Sequence, residues 1–309
     1  MKNLIFSIIL LLAITYAAYG QACSDAGICS APVFGESKDR FLEIEVKQGF
    51  ESADYDVTIL KTYFSAKVDF SDEWMISLSV PYASISGENR DLNNESISIS
   101  GLSDITFMLA NKFMTFNDGA MRGYIGLKVP SGNDNMTDDD GNFLPMVFQP
   151  SLGTTDLLLM LTLDYATWHF AAGWQKPLDD HNNNKYVGYY DEPGSRMYPS
   201  SFDLERQSDL MLRVTKSFLI AESFNASFGI MPIFRLGDSF SSADMVNNSP
   251  VAVEGTSGTT LNIIGDLNYS AVEYLDIFGN FGFPVISRET SADGLKRSFV
   301  INAGFRFKF

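Results

Sequence analysis

Residues 297–309 read RSFVINAGFRFKF. Every second residue is apolar (Phe299, Ile301, Ala303, Phe305, Phe307, Phe309), and Ser298, Asn302, Gly304, Arg306 and Lys308 stand between them. A period of two describes a strand with one apolar and one wet face. The apolar face runs through the final phenylalanine, where a soluble domain usually frays into polar residues. The strand is therefore expected to be sealed into a sheet.

The same alternation recurs upstream from Phe41. Leu42, Ile44, Val46 and Phe50 oppose Glu43, Glu45 and Lys47; Leu60, Phe64, Ala66 and Val68 oppose Lys61, Tyr63, Ser65, Lys67 and Asp69. Further segments place Trp74, Ile76 and Leu78, then Ile105, Phe107 and Leu109, then Ile125, Leu127 and Val129 on one face. Later ones do so with Phe170, Ala172 and Trp174, and with Leu210, Leu212 and Val214. Phe224, Ala226 and Phe228 continue the pattern, as do Leu261 and Ile263, then Leu275 and Ile277. The least clean segment is 151–165, where Leu158 and Met160 fall among the inward residues. Alternate connections are tight, at 71–73, 115–119, 166–167, 217–222 and 270–273. The others are mostly long and polar, at 84–103, 131–149, 178–207, 237–258 and 287–296. Short turns alternating with long loops are the asymmetry of a membrane barrel. The expected fold is all-β: a closed, antiparallel, up-and-down transmembrane β-barrel of about twelve strands over residues 41–309.

A weak hairpin repeat supports this register. Pro81, Pro130, Pro177, Pro232 and Pro284 recur toward the loop ends of the upward strands, and Asp104, Asp156, Asp209 and Asp266 near the starts of the downward ones. Proline cannot donate a ladder hydrogen bond, so it belongs at a strand end or bulge.

Residues 1–20 read as a cleaved secretory signal, with Lys2 before an apolar run and Ala18-Tyr19-Gly20 at the cleavage position. Residues 21–40 form a short periplasmic leader, in which Cys23 and Cys29 are expected to pair as a disulfide in an oxidising compartment. Two cysteines without a nearby histidine do not complete a structural zinc site. The net charge of −16 argues against nucleic acid as a partner.

Charges on a lipid-facing wall would cost about 2–4 kcal/mol each near the midplane, so the charged parity must face inward. Candidate lumen-lining residues are Lys61, Lys67, Asp69, Arg122, Lys128, Asp156, Asp209, Arg213, Arg235, Asp266 and Arg306. Both signs are present, which argues against a strongly ion-selective pore. Paired instead of hydrated, the same residues would brace a closed wall. The acidic loop residues Asp134, Asp138, Asp139 and Asp140 lack the spacing of a calcium loop, and read as solvated. Tyr186, Tyr189, Tyr190 and Tyr198 either stack on a ring-shaped solute or fold over the mouth. The two histidines, His169 and His181, have no serine placed beside them by spacing. No enzyme, cofactor or metal centre is expected.

The stretch 297–309 resembles the closing strand of bacterial outer-membrane barrels, whose terminal aromatic is read by the assembly machinery; here that residue is Phe309. Val129-Pro130-Ser131-Gly132, Gly153-Thr154-Thr155-Asp156, Gly101-Leu102-Ser103-Asp104-Ile105 and Val80-Pro81-Tyr82 resemble motifs of a known family. It is the outer-membrane transporter family named for the meta-pathway of phenol degradation. Ser131 and Thr155 depart from it, where threonine and glycine are frequent. The resemblance implies an integral outer-membrane barrel passing small, hydrophobic or aromatic solutes, and transfers no site residue. The alternative is a closed structural or adhesion barrel with acidic outer loops.

Overall fold

A computed structural model describes residues 41–53, 56–89, 95–179, 181–188, 198–242, 249–291, 293 and 296–309. The expected signal, the leader and the Cys23–Cys29 pair lie outside the described residues, as do Tyr189 and Tyr190.

The strands are β1 (Leu42–Ala53), β2 (Thr58–Asp69), β3 (Trp74–Asn89), β4 (Glu95–Leu102), β5 (Ile105–Phe116), β6 (Gly119–Val129), β7 (Asp156–Tyr165) and β8 (Trp168–Pro177). They continue with β9 (Asp209–Ala221), β10 (Phe224–Arg235), β11 (Ser239–Ser241), β12 (Val251–Val253), β13 (Gly258–Val272), β14 (Leu275–Ile286) and β15 (Arg297–Lys308). Around the barrel the order is β2-β1-β15-β14-β13-β10-β9-β8-β7-β6-β5-β3, and β3 pairs back with β2. β4 and β5 lie end to end along β3, so the thirteen strands of this sheet make twelve staves. All pairings are antiparallel. β15 closes the ring against β1, from Glu43↔Lys308 to Ala53↔Arg297. The Phe309 N–H adds a bond to the Leu42 carbonyl at 2.9 Å.

Closure pairs each of the twelve staves on both sides, which is what lets a sheet enter hydrocarbon, while the upper extension β4 pairs with β3 alone. The outer wall is the apolar parity: Ile44, Phe64, Leu78, Phe107, Ile125, Leu161, Phe228, Ile277 and Phe305 are all exposed. Phe41, Phe70, Phe113, Tyr165, Trp168, Tyr269, Tyr274 and Phe309 are also exposed, close to the tight turns. Such a girdle of aromatics marks a membrane–water boundary. Lys216 leans over the Trp168 ring at 5.1 Å, a cation placed where the girdle meets water.

Several expectations are corrected. Residues 84–103 are largely strand, not loop: β3 runs on to Asn89 and pairs with β4. Above the membrane the alternation persists with inverted chemistry, so Ile85 and Ile97 are buried while Ser84 and Ser98 face water. The turn expected at 217–222 shrinks, because β9 continues through Ala221. Asp266 does not start a strand; it lies within β13. Pro130 and Pro177 stand at strand ends, whereas Pro81, Pro232 and Pro284 lie inside β3, β10 and β14. There the ladder is interrupted: β3 changes partner from β5 to β4 around Pro81, and the β13–β14 register shifts beside Asn262↔Pro284. The missing N–H falls where the sheet has least use for it.

Candidate functional site: the barrel interior

Three tiers of inward side chains line the barrel. The tier near the tight turns is charged and paired. Lys67 Nζ lies 3.2 Å from Glu43 and 3.0 Å from Asp69. Arg306 reaches Glu45 at 3.1 Å and Asp276 at 3.8 Å, and Lys308 joins Asp276 at 2.8 Å. Arg122 donates to Asp164 at 2.6 Å, and Arg213 to Asp266 at 2.8 Å.

The middle tier has two faces. Met75, Met108, Tyr124, Leu158, Met160, Met211, Met231, Ile233 and Ile264 form one buried cluster along the inner sides of β3, β5, β6, β7, β9, β10 and β13. Across the lumen, β14, β15, β1 and β2 present polar groups. Asn302 donates to Asn280 at 2.6 Å, and Lys47 lies over the Tyr63 ring at 4.2 Å. Thioether side chains are flexible and polarizable, and favour aromatic neighbours. Leu158 and Met160, which blur the alternation of β7, belong to this apolar arc.

The third tier lies beneath the long loops and anchors them. Asp156 accepts from Lys128 (2.8 Å), from Gln175 (2.5 Å) and from Arg206 (3.2 Å), a residue of the 178–208 loop. Asp209 takes a two-pronged bond from Arg235, at 2.8 and 2.7 Å, with Arg288 at 3.8 Å. Asp104 accepts from the Ser151 hydroxyl at 2.5 Å and lies 3.7 Å from Lys128. Glu51 holds Arg297 at 2.5 Å and Lys61 at 3.6 Å. Each inward charge singled out in the sequence thus meets an opposite charge. The spacing did not point to Arg206, Arg288 or Arg297, because two lie in loops and their partners are remote in sequence.

Above this tier the mouth is filled. Leu144, Val147, Phe148, Tyr186 and Tyr198 from the loops pack on Ala53, Val57, Ile59, Ala83, Ile85 and Ile97 of the upper wall. Phe148 meets Tyr198 edge-on, with centroids 5.9 Å apart, and the Tyr198 hydroxyl donates to the Glu88 carbonyl at 3.0 Å. Of the two readings of the loop tyrosines, Tyr186 and Tyr198 take the second and fold over the mouth. Asp134 is no solvated loop residue: it is buried and accepts from the Asn183 N–H at 2.7 Å. Gly153, with φ +76, lies against it, and a Cβ there would come within 1.8 Å of its carboxylate. Only glycine combines that backbone with that approach.

One inward group departs from simple charge pairing. His169 Nδ1 lies 2.7 Å from Asp164 and Nε2 lies 2.8 Å from Ser217 Oγ. Ser217 is 48 residues away in sequence. With the 217–222 segment read as a turn, nothing in the sequence aimed this hydroxyl inward.

No family model matches the chain, and no curated protein matches it. Solved structures do. The COG4313 outer membrane channel from Pseudomonas putida F1 superposes with a TM-score of 0.62 at 12% identity, over 89% of this chain and 100% of that one. The NanC porin gives 0.48 at 9% identity, over 86% and 100%. The CymD monoaromatic hydrocarbon channel gives 0.43 at 9% identity, over 94% and 94%. At such identities the first likeness establishes a shared fold, and the chain has the closed barrel architecture of that outer-membrane channel.

Proposed function

We infer that the protein is an integral outer-membrane channel for the passive passage of small, hydrophobic or aromatic solutes. The observation that carries this reading is the two-faced middle tier. A methionine-rich arc faces a polar one, while the charges above and below are spent on each other. An ion entering this lumen would meet few unpaired countercharges and an apolar constriction. A flat apolar solute carrying one polar group would find partners on both sides, and unbranched methionines can move aside for it. The motif resemblance to the meta-pathway phenol transporters points to the same solute class. On this reading residues 1–20 direct export, and β15 with Phe309 engages the barrel-assembly machinery. Lipid covers the apolar wall, and the eleven candidate residues line the two charged tiers. The path needs no cofactor and no nucleic acid.

The test is solute entry into liposomes carrying the refolded barrel, with ionic conductance measured in parallel. Uptake of simple aromatics with little steady ion current is expected. Met160→Lys, which puts a cation into the apolar arc, should slow that uptake at least tenfold while the barrel still folds. The second reading, a closed structural or adhesion barrel, is favoured by the filled mouth. A correctly folded barrel that passes neither ions nor aromatics would select it.

A further inference from the structure

We propose that Asp164, His169 and Ser217 form a hydrolytic relay on the inner wall, acting on water-soluble carboxylic esters that enter from the tight-turn end. This is an activity beyond passive passage.

The three side chains come from three adjacent staves. Asp164 on β7 stands directly across from His169 on β8, and Ser217 lies on the inner face of β9. In register the residue opposite His169 is Thr215, yet the imidazole bonds Ser217, two positions further on. Roles follow from donor chemistry. An ionised carboxylate only accepts, so Nδ1 carries the proton that Asp164 holds, and a neutral ring leaves Nε2 as the acceptor of the Ser217 hydroxyl proton. That is the tautomer a general base needs: a nucleophile within reach of a base, and the base oriented by a third group. The other Asp164 oxygen is fixed by Arg122 at 2.6 Å.

Bracing does not account for this arrangement. Glu43, Glu45, Glu51, Asp69, Asp104, Asp156, Asp209, Asp266 and Asp276 each meet a lysine or arginine directly. Asp164 also has its arginine, so the histidine and serine add nothing to charge neutrality. Solvent reaches this tier: the side chains of His169 and Asp164 are 28% and 26% exposed, as Asp69 and Asp266 are at 29% and 39%, whereas Lys128 and Asp156 in the tier below the mouth are at 5% and 0%. Asp164 and His169 lie within a few residues of the tight turn at Ala166-Thr167. A solute from that side reaches them without crossing the filled mouth.

The chemistry is acyl transfer. Ser217 Oγ bonds to the ester carbonyl carbon as its proton passes to Nε2. The C–O bond to the alcohol then breaks, and the alcohol leaves with that proton. Water, deprotonated by Nε2, attacks the acyl-serine; the acid departs and Ser217 recovers its hydrogen. The Ser217 N–H is committed to the Thr167 carbonyl at 2.8 Å, so the nucleophile's own amide does not cradle the oxyanion. One such donor is commonly worth about 10²–10³ in rate. The substrates are therefore esters with good leaving groups, not amides.

The refolded, detergent-solubilised protein is treated with a fluorophosphonate, and the adduct is mapped by peptide mass. Attack on phosphorus forms an Oγ–P bond and expels fluoride, the proton going to Nε2. The expected result is one phosphonyl group per chain, on Ser217. His169→Gln should slow labelling at least about 100-fold. Asp164, a positioning residue, should behave likewise as Asp164→Asn and recover in part as Asp164→Glu. Folding is verified for each variant by its heat-modifiable gel shift. A folded wild-type barrel with Ser217 unlabelled overturns the proposal, as does labelling that is unchanged in folded His169→Gln.

Discussion

The two ends of this barrel follow opposite rules along the same strands. In the lower part of β3, Trp74 and Leu78 point outward and are exposed, while Met75 and Ser77 are buried. In its upper part the parity is unchanged but the chemistry reverses, with Ala83 and Ile85 buried and serines outside. The lower wall is solvated by hydrocarbon, so its apolar residues belong on the outside. The upper wall stands in water and is built as a soluble protein is, around an apolar core supplied by loops. The point of inversion locates the membrane boundary. It also explains why the mouth is filled: a strand extension with apolar inner residues needs something to bury them against.

The largest effect on this contrast is expected at Phe148, fully buried in the mouth. Phe148→Ala removes a ring whose loss from a core typically costs about 3–5 kcal/mol. Here the cost falls on the loops, not the staves. The expected outcome is a mouth that opens, seen as raised conductance and faster loop proteolysis with an unaltered heat-modifiable barrel. Loss of the barrel itself would mean that the mouth and the wall fold as one unit. A smaller effect should come from the lower wall. Leu161→Arg puts a cation on the lipid face, at about 2–4 kcal/mol, and should lower refolding stability in lipid vesicles without changing the mouth. The smallest should come from the exposed loop turn at Asp138. The slight desolvation of its carboxylate is outweighed by bonds from the Asn142 side chain and from the Asn142, Asp140 and Gly141 backbone, which hold its pKa below the usual value. Its contribution is complete above the ordinary aspartate range, near 3.9, and is lost as pH falls through the depressed value. Proteolysis by an acid-active protease should therefore reach this loop only at the acid extreme, and Asp138→Asn, which cannot ionise, should abolish that pH dependence and leave the loop as susceptible at higher pH as at the acid extreme.

The wall and the interior differ in how much of them could be read from residues alone. Phe305, Phe307 and the residues between them determine a strand with one lipid face, because alternation is local and each strand carries it separately. The tight and long connections then give the stave count and the sidedness. The candidate charges from Lys61 to Arg306 could be placed on the inner face for the same reason: a charge has no tolerable position on the other. What they touch was not legible. Arg206 looks like any loop arginine until residues 198–208 bring it onto Asp156, and Ser217 looks like a turn residue until β9 runs on to Ala221. Ile85 and Ile97 alternate visibly, but which side of the wall they favour depends on where the membrane ends. The sequence by itself determined a closed barrel, its parity and the sign of each face, through short-range periodicity under one solvent rule. Only the tertiary structure decided what fills the lumen, since register and loop return bring together side chains that no spacing relates.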